Sequence, residues 1–308
     1  MMRECIKEGF NLANNNLQLV LIRIAATLIN LTSIFVFIGM PVLVAVAYLG
    51  FDLAHANDML PYLMENPFEI LSKYIGLVFF AVVSFFVYLV FISVLFLYVL
   101  SGTLGILKNS AVNVQFSFSL SSFFKEANRN FFRMFRLGLL LFFTFPMIFI
   151  AFVVTGGIAA GAGWIVAGTD TALEVFFSSF VSLSIMVLIM MVFLAYFIFA
   201  VYALMACFID GGGVMDSIRR SYCFLKQKPA AFLFCAVLIT GFIALNLVFF
   251  LLKVPFSIDP VVAPVVNILS SIMNALLHAY LAIVVWSSLI VYYVKGTNYP
   301  VYSATYEI

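Results

Sequence analysis

Charged residues are scarce in this sequence of 308 residues. Only 9% are Asp, Glu, Lys or Arg, whereas 66% are apolar or aromatic. A water-soluble domain carries about 25% charged residues, because its surface must be hydrated. The chain lacks the polar surface that a soluble globular protein needs, so the composition predicts an integral membrane protein.

Cysteine and histidine are also few, with four and two residues. No two cysteines form a C-x-x-C pair, and we therefore expect four reduced thiols: Cys5, Cys207, Cys223 and Cys235. The segment DLAHAND sets Asp52, His55 and Asp58 three residues apart, a spacing compatible with a metal site. Because no second histidine lies nearby, we favour a hydrated loop at this place.

Recognisable catalytic motifs are missing as well. The sequence has no P-loop and no Ser-His-Asp or Cys-His arrangement. The pair Gly157 and Gly161 lies inside an apolar run, where small residues favour close helix packing. We therefore predict no cofactor, no metal and no catalytic residues.

Long apolar runs are what the sequence has instead. Six of them are long enough to cross the roughly 30 Å hydrocarbon layer, which takes about 20 helical residues. Each is expected to be helical, because a bilayer offers no water to pair with the backbone. The predicted fold is an all-α bundle in a single membrane domain, residues 1–308, with kinks at Pro41 and Pro146. The predicted spans lie near 24–51, 74–105, 137–167, 175–208, 231–252 and 264–294.

The basic residues predict the orientation of this bundle. With both termini in the cytoplasm, thirteen of the fifteen Lys and Arg residues lie on the cytoplasmic side, and only Lys73 and Lys253 lie opposite. Lys and Arg in short loops are the residues that set topology. The first apolar run is too long for a cleaved signal peptide. We therefore predict a multi-pass protein with the N- and C-termini in the cytoplasm.

The segment FFKEANRNFFRMFR interrupts the apolar pattern between the second and third spans. Its cations are spaced 4, 4 and 3 residues apart and share one helix face: Lys125, Arg129, Arg133 and Arg136. An apolar stripe lies on the opposite face: Phe124, Ala127, Phe131 and Met134 or Phe135. This pattern predicts a helix that lies in the membrane interface, with its cations against anionic head groups. Nucleic-acid binding also uses basic and aromatic residues, but the phenylalanine face needs lipid or protein, so we predict no nucleic-acid partner.

Two further amphipathic segments have the same position before a pair of spans. IKEGFNLANNNLQL carries the stripe Ile6, Phe10, Ala13 and Leu17. GGGVMDSIRRSYCFLKQKP carries Met215, Ile218, Tyr222 and Leu225, and it adds Arg219 and Arg220 to the predicted lipid-facing cations. We therefore predict three parallel repeats of a surface helix and two spans, near residues 1–107, 108–209 and 210–308.

Polar residues form a stripe in the sixth predicted span: Asn267, Ser271, Asn274 and His278. A shorter stripe at the start of the first span contains Arg23, Thr27 and Asn30. Polar residues in spans are costly in lipid and usually face the bundle interior. One interpretation is hydrogen bonding between helices. The other is a polar cavity for a head group or a proton, with His278 as its titratable member.

The segment IDGGGVMDSIRRSYCFLKQKPAAFLF, residues 209–234, resembles a recurring segment of bacterial six-span membrane proteins. In these proteins a small or acidic residue and a glycine precede a basic-Ser-aromatic helix and the next span. They include the membrane domain attached to some glycerophosphoryl diester phosphodiesterases and the uncharacterised YciC-like families. The resemblance implies a bacterial inner-membrane protein. It implies no phosphodiesterase activity, because the chain contains no soluble domain for that active site.

Three functions are compatible with these patterns. We favour a non-catalytic membrane protein that organises anionic lipids through its basic face, with other membrane proteins as alternative partners. The second is a transporter or permease subunit for a hydrophobic or amphipathic substrate, with the polar stripe along its path. The third, an intramembrane enzyme acting on lipid, has the least support, because the sequence clusters no carboxylates or histidines on one side.

Overall fold

The computed structural model describes residues 1–50, 67–113, 116–167, 171–253 and 263–297, and its regular elements there are helices. In chain order they are α1 (Met2–Asn14), α2 (Gln18–Ile34), a π-helical turn (Phe35–Gly39), α3 (Met40–Gly50), α4 (Pro67–Val112), α5 (Leu120–Ala167), α6 (Thr171–Ile209), α7 (Val214–Gln227), α8 (Ala230–Lys253) and α9 (Ala263–Thr297).

Six stretches of this described chain are long and apolar enough to cross a membrane. They are Gln18–Val44, Ile75–Val112, Leu120–Gly157, Ser179–Ile209, Ala230–Lys253 and Val266–Thr297. At most 28% of the residues in the apolar window of any one stretch are buried within the chain, so most of these side chains are available to lipid. The predicted all-α bundle with six spans is confirmed, and the chain is a multi-pass membrane protein.

The contacts divide the chain into two units, of which the smaller is Gln18–Leu100. Within it, the Tyr88 hydroxyl on α4 donates to the Asn30 side chain on α2 at 3.0 Å. This bond is of the kind predicted for polar residues in spans, joining two helices. The π-helical turn ends two residues before Pro41, which cannot donate a backbone hydrogen bond. A wider turn is one way in which a helix accommodates a proline.

The larger unit contains Met1–Leu17 and Ser101–Ile308. In this unit α5 runs without interruption from Leu120 through Pro146 to Ala167. The segment predicted as a separate surface helix is therefore the first part of a span-forming helix. A helix break was expected near residue 136, but no proline stands there, and the one glycine, Gly138, leaves the helix intact. α1 and α7, in contrast, end before the spans that follow them.

Helix α1 packs along α9. This contact brings together two segments that are far apart in the sequence. Gly9 makes the closest approach: a β-carbon at this position would overlap the side chain and backbone of Ser288. Cys5, Gly9 and Ala13, spaced four residues apart, form the buried face of α1. Small residues at this spacing allow two helix backbones to approach closely.

Small residues also mediate the packing of the other two amphipathic segments. A β-carbon at Gly102 of α4 would overlap the ring of Phe123 at the start of α5. On α7, the buried Ser221 hydroxyl donates to the Phe199 carbonyl of α6 at 3.2 Å. Each amphipathic segment thus lies against the C-terminal part of a long helix. The division into three repeats stays a prediction.

We use the term basic end for the part of the larger unit where these contacts occur. It contains α1, the first turns of α5, helix α7, and the C-terminal turns of α4, α6 and α9. Twelve Lys and Arg and five Asp and Glu residues belong to these segments and the short connections next to them. Net positive charge is therefore concentrated where the long helices of this unit terminate.

Candidate functional site

The C-terminus of α6 is the point at which several elements of the basic end meet. The last carbonyls of any helix have no partner within the helix, and cations are favourable beside them. Here the ammonium group of Lys108, on α4, donates to the carbonyls of Phe208 at 2.8 Å and Ile209 at 2.9 Å. One lysine thereby joins α4 to α6 and pairs two of these carbonyls.

Asp210, directly after α6, joins two more elements to the same place. Its carboxylate accepts a hydrogen bond from the Tyr293 hydroxyl of α9 at 3.0 Å and forms an ion pair with Arg220 of α7 at 3.3 Å. Gly211 then adopts a positive φ of 68°, which lets the chain leave the helix without a side-chain clash. We call Lys108, Asp210, Arg220 and Tyr293 the α6 junction.

A second polar cluster surrounds Glu126 near the start of α5. This carboxylate is buried, and it accepts hydrogen bonds from Arg129 at 2.6 Å, Asn130 at 3.1 Å and Asn109 at 3.3 Å. A buried carboxylate is costly unless it is paired, and these three donors provide the pairing. Asn109 belongs to α4, so the cluster also fixes α5 against that helix.

The cations predicted to contact lipid divide into two groups. Arg129 and Arg220 bind carboxylates, although their side chains remain 55% and 54% exposed. Lys125, Arg136 and Arg219 are exposed, and Arg133 is half-buried beside Gly211. Three of the six cations therefore extend from the surface, while Arg129 and Arg220 also stabilise the fold.

Several large apolar side chains near these cations are exposed rather than packed in the core. Phe124 and Phe132 on α5 are 51% and 68% exposed, and Met215 and Tyr222 on α7 are 72% and 61% exposed. The apolar stripes predicted for these segments are thus only partly packing faces. Ser217 and Ser221 are among the buried residues of α7, and Phe123, Ala127 and Met134 are among those of α5.

The predicted polar stripe of the sixth span lies on the exposed side of α9. Asn267, Ser271, Asn274 and His278 are all exposed. The Ser271 hydroxyl donates to the Asn267 carbonyl of its own helix at 2.6 Å, and the His278 ring lies edge-on to Phe242 of α8 with ring centroids 5.1 Å apart. Both interpretations of the stripe stay predictions.

Two other predicted features are the possible metal site in the segment DLAHAND and the glycine pair in α5. Asp52, His55 and Asp58 lie outside the described residues. At Gly157 a β-carbon would have no neighbour within 4 Å, whereas at Gly156 it would lie 3.6 Å from Ile185 of α6. The distance at Gly156 is an ordinary van der Waals contact, so neither Gly156 nor Gly157 marks an unusually close approach of α5 and α6. Among the described residues there is no group of three or more His, Cys, Asp or Glu that could hold a metal.

All four cysteines are free thiols. Cys5, Cys207 and Cys235 are buried, and Cys223 on α7 is exposed. Burial raises the pKa of the Cys5 thiol above its ordinary value, because the charged thiolate loses hydration. Cys5 is thus a buried contact between α1 and α9 rather than a reactive group.

The α6 junction was not predicted from the sequence. Its signals were present: a lysine at the end of an apolar run, and an aspartate followed by three glycines. Neither signal identifies its partner, because Lys108 and Ile209 are about a hundred residues apart. Searches of protein-family models, curated proteins and solved structures return no significant match to this chain.

Proposed function

We propose that this multi-pass membrane protein is non-catalytic and organises anionic lipids at its basic end. The observation that carries the proposal is the pairing of exposed cations with exposed apolar side chains on the same helices. Lys125 and Arg136 accompany Phe124 and Phe132 on α5, and Arg219 accompanies Met215 and Tyr222 on α7.

Such a surface suits the boundary between head groups and acyl chains. Rings and thioethers enter the apolar side, while cations meet anionic phosphates. The carboxylates of the basic end do not cancel its charge, because twelve cations stand against five acidic residues. The α6 junction and the Glu126 cluster support this function by holding the charged segments in fixed positions.

The proposed location is a bacterial inner membrane, with the basic end and both termini in the cytoplasm. The distribution of Lys and Arg supports this orientation, and the resemblance of residues 209–234 to bacterial inner-membrane proteins supports the location. Membrane lipids with anionic head groups are the proposed partners, and other membrane proteins are the alternative. Nucleic acid is not a proposed partner.

A transporter or permease subunit is the second candidate. It is favoured by one observation, the stripe of four polar residues along the exposed side of α9. Replacing Asn274 and His278 together with leucine should abolish transport if the stripe lines a path. A stable double variant with an unchanged phenotype would remove this candidate.

The lipid proposal is tested by changing the three exposed cations Lys125, Arg136 and Arg219 to glutamine. In vesicles of phosphatidylcholine and phosphatidylglycerol, the protein should enrich phosphatidylglycerol around itself, and the variant should lose roughly 1 kcal/mol of this preference per cation at low salt. The matched control exchanges each residue for the other basic type (Lys125→Arg, Arg136→Lys, Arg219→Lys) and should retain the enrichment. Enrichment that depends on neither charge nor salt would contradict the proposal.

A further inference from the structure

Helices α5, α6, α7 and α8 enclose a groove of about 500 Å³ in the larger unit. Its lining is almost entirely apolar, and includes Ile148, Val192, Phe199, Leu225 and Phe232. The volume lies within the ~300–1,000 Å³ range of small-molecule sites in proteins. The groove is therefore large enough to hold part of an amphipathic molecule.

The groove has a polar mouth and an apolar interior. Lys226 and Tyr222, from the amphipathic helix α7, line it at the basic end. Along α6 the lining continues from Phe199 to Val192, which is about 10 Å further into the span at 1.5 Å per residue. This sequence of environments matches a phospholipid, whose charged phosphate is joined to a long hydrocarbon chain.

Hydrogen bonds between the helices hold the walls of the groove in place. Ser221 fixes α7 on α6 through the Phe199 carbonyl, as described above. The buried Tyr202 hydroxyl of α6 donates to the Ala231 carbonyl of α8 at 3.1 Å. The Tyr196 hydroxyl, from the groove lining, lies 2.6 Å from the Thr144 hydroxyl of α5. These bonds join α5, α6, α7 and α8 around the groove, and a site with fixed walls loses little conformational freedom when it binds.

Lys226 is the one charged residue among the described residues that line the groove. Its side chain is exposed, and it forms no hydrogen bond or ion pair with any other part of the described chain. An ammonium group at the mouth of an apolar groove complements an anionic phosphate. Tyr222 beside it has an apolar ring and a polar hydroxyl, which suits the head-group level.

We infer that this groove binds one acyl chain of an anionic phospholipid, with the phosphate against Lys226. The inference rests on the proposed function, since it assumes that the basic end faces anionic lipid. It differs from that function by requiring a discrete site for one molecule, where the exposed cations require only a surrounding lipid layer.

The first experiment fills the groove. Ala195 lines it and is exposed, so Ala195→Trp places an indole in the groove without disturbing buried packing. The matched control is Leu194→Trp, which adds an indole at the adjacent exposed position outside the lining. Native mass spectrometry of the detergent-purified protein, titrated with dioleoyl phosphatidylglycerol, should show one tightly held lipid in wild type and Leu194→Trp, and its loss in Ala195→Trp.

The second experiment tests the charge. Lys226→Gln should weaken phosphatidylglycerol binding by about fivefold, the effect of one cation near a phosphate, and leave phosphatidylcholine binding unchanged. Lys226→Arg should restore the preference, and Lys7→Gln, which removes a cation from α1, should have no effect on this lipid.

Two results would overturn the inference. Equal lipid retention by Ala195→Trp and Leu194→Trp would show that the groove is not the binding site. Equal effects of Lys226→Gln and Lys7→Gln would show that the cation does not select the lipid. Neither result bears on whether the Lys125, Arg136 and Arg219 variant loses its phosphatidylglycerol enrichment. Failure of the groove site and failure of the proposed function are therefore distinguishable. Copurification of another protein whose helix displaces the lipid from the groove would also contradict the inference.

Discussion

Replacing Asp210 with alanine should destabilise the basic end by about 2–3 kcal/mol. The main cost arises at Tyr293, which is 1% exposed and would lose the acceptor of its hydroxyl. A buried donor without a partner costs about 1–3 kcal/mol. The ion pair with Arg220 adds little, ~0–1 kcal/mol, because the Arg220 side chain is 54% exposed and hydrated.

The buried cysteines provide the assay. In a Cys223→Ser background the remaining thiols, Cys5, Cys207 and Cys235, are all buried. A thiol-reactive fluorophore added to the detergent-purified protein therefore reports thermal unfolding. At ~2 °C per kcal/mol for a chain of this length, Asp210→Ala should lower Tm by about 4–6 °C.

A second substitution tests whether the unpaired Tyr293 hydroxyl causes the loss of stability in Asp210→Ala. Tyr293→Phe removes the hydroxyl that Asp210→Ala leaves unpaired, so the double variant should be more stable than Asp210→Ala alone. Asp216→Ala is the matched control, because Asp216 is exposed and accepts only a 3.3 Å bond from the Gly213 backbone among described residues. Its cost should stay near 1 kcal/mol. If Asp210→Ala is no worse than Asp216→Ala, or if Tyr293→Phe adds to the damage, the account of the junction is wrong.

Two further predictions concern the packing of α1 and the state of the thiols. Gly9→Ala should destabilise the protein by ~1–3 kcal/mol in the same unfolding assay, because its new methyl group overlaps Ser288. The control, Gly241→Ala on α8, has no neighbour within 4 Å and should be neutral or stabilise by up to ~1 kcal/mol. Equal effects of the two substitutions would refute the contact between Gly9 and Ser288. Maleimide at about pH 8.5, where an ordinary thiol is half ionised, should label the exposed Cys223 and leave Cys5 unmodified. The raised pKa of Cys5 lowers its thiolate fraction, and burial keeps the reagent away from it. Mass spectrometry that finds Cys5 modified in the folded protein would contradict its buried position.

The spans were predictable because one physical constraint dominates them. A continuous apolar run such as Ile75–Val112 is too long for a barrel strand, so in lipid it pairs its backbone groups as a helix. The breaks between elements were less predictable. The predicted boundary between the surface helix and the third span, near residue 136, is not a helix end, and α5 continues there. The sequence changes at this point from amphipathic to fully apolar, which changes what surrounds the helix but not its backbone hydrogen bonds.

The contacts between distant segments were beyond the reach of pattern analysis. Phe124 and Tyr222 belong to apolar stripes that were predicted to face lipid or protein at the membrane interface. In the fold both side chains are exposed, whereas other residues of the same stripes, such as Ala127 and Leu225, are buried. The pattern does not distinguish these two groups, because a large apolar side chain is stable both against lipid and in the packed core.

The packing of α1 on α9 has a consequence for the order in which the protein forms. Gly9 is translated about 280 residues before Ser288, against which it packs. At ~5–20 residues per second, the first helix waits roughly 15–60 s for its partner to be translated. During that interval the face of α1 formed by Cys5, Gly9 and Ala13 cannot be covered by α9.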